Sequence, residues 1–271
     1  MYGESTYLTM WFGGGALAIV VAVALARQER LPPGRVLASM LVLGVVFFAG
    51  ARAHSLILEE GRPLAALAAP SAWLSMGVRL PGGIFASLLA GPLVAGALRL
   101  PYLRFADLAI TAGTVLLVFG RVGCHLVGCC FGVPATLPWS TVYGPGTAAY
   151  ALHVQRGLIA AGAPETGPLH PIAGYMALAA ALALLVCLWL RRRGSDAGTR
   201  MLAAMLVFGV GFGIAEGFRD ATGSALTLYR QQMWFALGLF GMLILLARGL
   251  RLRFKARLRR SGGAVAGKAI A

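Results

Sequence analysis

The segment from Gly120 to Gly132 carries the densest set of side chains capable of chemistry in the chain. It reads G-R-V-G-C-H-L-V-G-C-C-F-G. If the segment is helical, Arg121, Cys124, His125 and Gly128 share one face, because residues three, four and seven apart align on a helix. Arginine offers a planar fork suited to phosphate, and the glycines let another helix or a lipid headgroup approach the backbone. An Arg121 that only snorkels to the membrane interface is the alternative.

Three cysteines in this segment raise the question of a metal site. Cys124, Cys129 and Cys130 lie beside His125, but C-x4-C-C is not a zinc spacing and no second cysteine pair follows. We therefore predict neither a metal nor a cofactor. A disulfide between the vicinal Cys129 and Cys130 is a weak alternative because it is strained. The favoured interpretation is small packing residues, as for Cys187 in the middle of a later apolar span.

A second polar segment lies in the apolar stretch 201–218, the sixth of the seven apolar spans described below. Glycines at every fourth position from Gly209 to Gly217 form two small-xxx-small steps, which predict a tightly packed helix face. Glu216 and Arg219 are i, i+3 neighbours and are able to pair. Two interpretations stay open: a self-contained ion pair, or a catalytic carboxylate that faces Arg121.

Other ionisable residues also fall within or beside apolar spans, where they are costly and indicate function by default. Arg52 and His54 lie in the second span and Arg79 near the start of the third. Like Arg121, Arg52 lies in the outer half of its span, so we expect chemistry near the outer leaflet. Asp107 lies toward the opposite end, where we expect it to cap or anchor its helix.

The composition shows which elements must position these residues. Of 271 residues, 59% are hydrophobic and 12% are charged, against roughly 25% charged in an ordinary globular domain. Disorder, a coiled coil and an average soluble enzyme are excluded. Seven apolar spans are each near the roughly 20 residues that cross a bilayer: 8–26, 36–58, 73–98, 105–127, 171–190, 201–218 and 232–247. We predict an all-α polytopic membrane protein with one transmembrane domain (1–250), an outward-facing loop segment (128–170) and a basic cytoplasmic tail (251–271).

The basic residues are distributed unevenly between the two sides of these spans. The chain has 24 Lys and Arg against nine Asp and Glu, and 17 of the 24 fall on one side. The positive-inside rule places that side in the cytoplasm, with the N-terminus outside and the C-terminus inside. We expect the tail to contact anionic membrane lipids rather than nucleic acid. The residues before the first span lack a basic n-region, so we expect that helix to be retained.

At these residues the chain resembles the prolipoprotein diacylglyceryl transferases, whose signature has the form G-R-x-G-N-F-x-N-G-E-x-x-G. Further pieces follow in the family's order, including a G-A-R, a P-W and an H-P segment. The signature is matched by Gly120, Arg121, Gly123, Gly128 and Gly132, and the other pieces by Gly50, Ala51, Arg52, Gly82, Gly83, Ile84, Pro138, Trp139, His170, Pro171, Tyr175, Gly209, Glu216 and Arg219. Cys124 and Cys129 stand where the signature has Asn and Glu.

The resemblance implies an enzyme of the bacterial plasma (inner) membrane that moves diacylglyceryl from phosphatidylglycerol to a lipobox cysteine thiol of a prolipoprotein. The nucleophile is the substrate's thiolate, and a preorganised cation stabilises the leaving phosphate. On this resemblance Arg121, Glu216 and Arg219 are the catalytic candidates. The substrate-binding candidates are Arg52, Gly82, Gly83, Gly120, Gly123, Gly128, His170 and Tyr175, with His170 expected mainly to orient the outer loop.

Two departures from the family pattern leave alternatives open. Pro81 stands where the family has a histidine, and Phe212 where it has an arginine. His125 or His153 is a substitute candidate for the base, since an imidazole titrates near neutrality. Besides the transferase, a divergent paralogue remains, acting on another headgroup or binding lipid without catalysis. A transporter is disfavoured because no inverted repeat is evident.

Overall fold

The protein is a bundle of long helices in the computed structural model. The structure describes residues 2–59, 61, 63, 64, 67, 69, 79–220 and 225–268; of these, the side chains of 2–4, 59, 225–228 and 252–268 are not described. The helices are α1 (Tyr2–Gln28), α2 (Pro33–His54, continued by a π-helical turn over Ser55–Glu59), α3 (Leu80–Ala97), α4 (Tyr102–Leu126), α5 (Ala148–Gln155), α6 (Ile172–Arg192), α7 (Thr199–Gly217) and α8 (Ala225–Lys268). The described residues contain three isolated β-bridges and no longer strand.

Seven of these helices are long and apolar enough to cross a membrane, which confirms the predicted number of spans. Their outer faces carry large exposed apolar side chains, such as Leu89 and Leu93 on α3 and Leu178 on α6. Such side chains suit contact with lipid tails. The predicted third span began at 73, and residues 73–78 lie outside the described residues.

Consecutive long helices alternate in direction, so the bundle has two ends with different connections. The end that holds residues 128–170 and the α7–α8 connection is called the loop end. The end that holds the connections at 29–32, 98–101 and 193–198 is called the basic end.

Glycines allow the closest helix contacts, as predicted for the sixth span. A Cβ built on Gly209 in α7 would lie 2.2 Å from the backbone nitrogen of Gly238 in α8. One on Gly213 would lie 2.6 Å from the ring of Phe235. The backbones of α7 and α8 therefore approach one another more closely than any side chain permits.

An ion-pair network closes the basic end. Asp107 of α4 accepts hydrogen bonds from the backbone N–H groups of Gly198 and Met201, at 2.7 and 2.8 Å. These donors belong to the first turn of α7, so Asp107 caps a neighbouring helix rather than its own. Arg200 binds both carboxylate oxygens of Glu29 at 2.8 and 2.9 Å and lies 3.6 Å from Asp107. Every one of these charges has a partner of opposite sign.

Two segments outside the seven apolar spans also carry regular structure. The predicted loop segment 128–170 contains α5 and is tied down by bridges such as Pro134 to Leu169. Within the region predicted as a tail, residues 251–268 are helical, because α8 continues without a break past the apolar span.

Candidate functional site

A cavity of about 270 Å³ lies at the loop end, between α3, α4, the 128–170 segment, α7 and α8. Its lining combines apolar residues with six charged ones: Arg79, Arg121, Arg219, Arg230, Glu216 and Asp220. Four cations against two carboxylates leave the cavity with a formal excess of positive charge. Such a cavity suits a ligand that is partly apolar and carries an anionic group.

Arg121 is held on the last turns of α4 with its side chain almost fully buried, at 7% exposure. Its Nη1 donates weakly to the sulfur of Met176 at 3.5 Å, and its guanidinium lies over the ring of Phe212, 5.8 Å from the centroid. Its Nε has no hydrogen-bond partner. Among the described residues Arg121 has no carboxylate partner, so its charge is available to an anionic ligand. The snorkelling alternative does not fit this burial.

Glu216, at the end of α7, joins two of the other cations. Arg219 donates from Nε and Nη2 to its two oxygens, at 2.7 and 3.0 Å, and Arg230 Nε lies 3.6 Å from Oε2. Both open interpretations had placed this carboxylate near an arginine. The structure pairs Glu216 with Arg219 and Arg230 rather than with Arg121. One carboxylate between two guanidinium groups still leaves a net positive charge.

The three cysteines of the 120–132 segment converge beside Arg121. The helix α4 ends at Leu126, and Gly128 adopts a left-handed conformation with φ +63°. Its N–H bonds to the carbonyl of His125 and that of Cys129 to the carbonyl of Cys124, a Schellman cap. Gly128 therefore does not share a helix face with Arg121, which corrects that prediction. The cap folds the chain back so that the sulfurs of Cys124, Cys129 and Cys130 lie within 4.8 Å of one another.

The electrostatics of this cluster favour a thiolate at one position. Hydrogen bonds from Cys124 and Cys129 hold the pKa of Cys130 well below its usual range, and Arg219 and Arg121 act in the same direction. The pKa of Cys129 is raised, mainly by its hydrogen bond with Cys124 and then by that with Cys130. The Cys130 sulfur lies 3.9 Å from Arg121 Nη1, so a negative charge there is stabilised by an adjacent cation.

Several predicted substrate-binding residues lie elsewhere. Arg52 is completely buried and does not line the cavity. A Cβ on Gly82 would lie 2.4 Å from the carbonyl oxygen of Gly50, and one on Gly83 would lie 2.7 Å from the ring of Phe47. These two glycines seat α3 against α2, so the space that we expected a headgroup to occupy is filled by the neighbouring helix.

Gly120 and Gly123 also serve helix packing. A Cβ on Gly120 would lie 2.7 Å from the indole of Trp11, and one on Gly123 would lie 2.8 Å from Cβ of Met10. Of the two possibilities raised by the sequence, a helix or a headgroup, the structure places helix α1 against both. Because Gly120 and Gly123 pack closely against α1, they fix the position of Arg121 along the bundle axis. Arg121 lies between these two glycines on α4.

His170 and Tyr175 form a clamp on the loop rather than part of the cavity wall. The Tyr175 hydroxyl lies 3.0 Å from His170 Nδ1 and accepts a hydrogen bond from Trp139 at 3.0 Å. The His170 ring stacks on Phe218, with centroids 4.7 Å apart. The clamp ties the loop to the end of α7 and so orients the segment that carries Arg219, in keeping with the orienting role expected for His170.

The histidines suggested as substitute bases do not line the cavity. His125 faces the edge of Tyr143, and His153 is buried against the edge of Phe131. Pro81, at the position of the family's histidine, does line it. The described part of the cavity wall thus offers no imidazole.

Sequence reasoning missed Arg230 and Asp220 and assigned no role to Met176. Asp220 pairs with Arg156 of the loop at 2.9 Å. Arg230 lies two residues before the predicted seventh span, at the same end as Arg121, and that position was the available signal for it. The role of Met176 depends on α6 lying against α4, which no local pattern indicates.

The chain is similar to several known proteins. The family model described as prolipoprotein diacylglyceryl transferase matches residues 5–248. Among curated proteins, the phosphatidylglycerol–prolipoprotein diacylglyceryl transferase of Clostridium tetani is 28% identical over 131 residues, covering 48% of this chain and 47% of that one. The enzyme of the same name from Finegoldia magna is 27% identical over 136 residues, covering 48% and 55%. Transferase 2 of Clostridium perfringens is 26% identical over 144 residues, covering 53% and 51%.

These aligned regions span about half the length of the curated relatives that the chain matches. The family model extends over most of the chain and includes the helices that carry Arg121, Glu216 and Arg230. Together with the seven spans and the cationic cavity at the loop end, this match shows that the chain belongs to the prolipoprotein diacylglyceryl transferase family.

Proposed function

We propose that this protein transfers the diacylglyceryl group of phosphatidylglycerol to the cysteine thiol of a prolipoprotein lipobox. The observation that carries the proposal is the buried Arg121, a cation without a carboxylate partner among the described residues, in a cavity with an excess of arginines. The names of the relatives support the choice of lipid and acceptor.

The reaction requires the site to stabilise the phosphate group, which leaves with the electrons of the broken C–O bond. The acceptor thiolate attacks the diacylglyceryl carbon bonded to the phosphate oxygen; a C–S bond forms, the C–O bond breaks and glycerol phosphate departs as an anion. In this proposal Arg121 binds that phosphate, because developing charge is stabilised most by a preorganised cation in a dry site. Arg219 and Arg230 share one carboxylate, so Glu216 positions them while leaving positive charge for the ligand.

The proposal includes an orientation that brings both substrates to the cavity. With the basic end in the cytoplasm, the loop end faces outward and the cavity opens near the outer leaflet of the bacterial plasma membrane. The segment 128–170 then covers the site on its aqueous side, and the basic residues after 250 contact anionic lipids of the inner surface.

The test uses the full chain, purified in phosphatidylglycerol micelles, with a synthetic lipobox peptide. Mass spectrometry is expected to show a diacylglyceryl adduct on the peptide and an equal yield of glycerol phosphate. The matched controls are a peptide with serine in place of the lipobox cysteine, and phosphatidylethanolamine in place of phosphatidylglycerol. Folded protein that retains phosphatidylglycerol yet forms no adduct would overturn the proposal.

A second candidate, a family member that binds lipid without transferring it, is favoured by one observation. Pro81 occupies the position of the family's histidine in the cavity wall, so the usual proton acceptor is replaced by an apolar residue. This reading predicts saturable phosphatidylglycerol binding, weakened in Arg121→Met, with no peptide adduct under any condition.

A further inference from the structure

The thiol of the acceptor must lose its proton before it attacks, and the described cavity wall has no histidine to take it. The wall does carry sulfur: Cys129 and Cys130 line the cavity, and the sulfur of Cys124, on α4, lies within 4.8 Å of both of theirs. The C-x4-C-C spacing predicted no metal site, because the pattern does not show that the chain folds back after residue 128.

We propose that Cys124, Cys129 and Cys130 form a three-thiolate Zn²⁺ site whose open fourth position faces the cavity and binds the acceptor thiol. This proposal rests on the proposed function and supplies the activation step that the missing histidine leaves unassigned.

The distances between the sulfurs suit this metal. Zinc–sulfur bonds are about 2.3 Å long, so three thiolates around one zinc ion lie about 3.8–4.0 Å apart. The sulfurs of Cys129 and Cys130 are 4.0 Å apart, and all three lie within 4.8 Å of one another. The remaining difference from the zinc spacing is at most about 1 Å. The Schellman cap at Gly128 holds the backbone in the required bend.

The charges around the cluster also suit it. Three thiolates and Zn²⁺ carry one net negative charge, and a bound acceptor thiolate adds a second. Arg121 Nη1 lies 3.9 Å from the Cys130 sulfur, and Arg219 also acts on that sulfur. These two cations offset the two charges.

An open fourth position distinguishes such a centre from a structural zinc, which is closed by four protein ligands. His125 is not among the groups that converge with the sulfurs. The acceptor thiol, on binding, releases its proton to solvent and becomes a zinc-bound thiolate. Its sulfur then forms the bond to the diacylglyceryl carbon beside Arg121, while the phosphate leaves. The zinc ion keeps its charge throughout, so no oxidant or reductant is needed.

The experiment measures metal content and transfer separately on the full chain. Reduced protein is loaded with Zn²⁺, desalted and analysed by mass spectrometry of the metal, with Cys187→Ser as matched control because Cys187 is buried and remote from the cluster. We expect about one zinc per chain in the wild type and in Cys187→Ser, and almost none in Cys124→Ser or the Cys129→Ser, Cys130→Ser double variant. Cobalt loading is expected to add thiolate-to-metal charge-transfer absorption in the first two proteins only.

Chelation of the wild type provides the second arm and does not depend on whether the serine variants fold. Loss of peptide adduct on chelation, restored by Zn²⁺, supports the proposal. A reduced, folded wild type that retains no zinc overturns it, as does adduct formation at full rate after zinc removal. Zinc bound through these cysteines with no adduct in either form supports the metal site and counts against the transferase function, so the two failures are distinguishable.

Discussion

The two ends of the bundle differ in whether their buried charges are paired with charges of opposite sign. At the basic end, Glu29 and Asp107 are matched by Arg191 and Arg200, and Asp107 also caps α7. At the loop end, four arginines and two carboxylates line one cavity, and Arg121 has no carboxylate partner among the described residues.

The difference separates structural charge from ligand-binding charge. A matched network is complete without a ligand, and breaking it exposes a buried charge. An unmatched buried cation is costly to the apo protein, so it marks the place where a ligand supplies the missing negative charge. Both ends contain an ionisable residue within an apolar span, Asp107 at the basic end and Arg121 at the loop end, and sequence rules for intramembrane charge do not show which of them is paired.

The largest effect is expected from Arg121→Met. Removing the cation that meets the leaving phosphate should lower the transfer rate by about 10²–10³-fold. Thermal stability in detergent should change little, because no carboxylate loses a partner. The check is the peptide-adduct assay with a thermal unfolding scan of the same preparation; a stability loss matching the activity loss would assign Arg121 to the structure instead.

Arg200→Met at the basic end should show the reverse pattern. Glu29 and Asp107 lose their shared cation, and removing one partner of a buried pair costs about 3–5 kcal/mol. We expect a clearly lower unfolding temperature and near-normal transfer per folded molecule below it. A transfer rate that falls while the unfolding temperature holds would break the comparison between the two ends.

A smaller effect is expected from Gly82→Ala, which tests whether this glycine serves packing or the headgroup. Its added Cβ would lie 2.4 Å from the Gly50 carbonyl, and overpacking of this kind costs about 1–3 kcal/mol. Gly96→Ala on the same helix, where nothing lies within 4 Å, is the matched control and should be neutral. If the variant had unchanged stability but bound phosphatidylglycerol more weakly, Gly82 would be assigned to the lipid-binding site instead.

The smallest effect is expected from Arg156→Ala. The ion pair with Asp220 is partly exposed at the rim of the cavity, and such pairs contribute about 1 kcal/mol or less. Stability should hardly change in the unfolding scan. Transfer should fall less than in Arg121→Met, because Asp220 then offsets more of the cavity's positive charge. A loss as large as that of Arg121→Met would mean that the loop contact, not the unmatched cation, governs the site.

The number of long helices could be predicted from the sequence, because hydrophobic length alone defines a membrane span. Their limits could not, since α8 runs from Ala225 to Lys268, well beyond the predicted span 232–247. The packing of Gly209 and Gly213 was predicted for the same local reason: small residues four apart form one face. The pairing of Glu216 with Arg219 was one of two interpretations, since i, i+3 spacing permits it on any helix. In each case the partners lie within one helix or along one face.

The sequence by itself determined the class of protein, the seven spans and Arg121 as the first candidate cation. Only the tertiary structure decided that Gly82 and Gly120 seat helices, that Arg52 lies outside the cavity, and that Arg230 lies beside Glu216. It also decided that Cys124, Cys129 and Cys130 converge. The physical reason is that hydropathy and residue spacing describe neighbours along the chain. Cavities and ion pairs between helices depend instead on which helices pack together and on how they are shifted along one another.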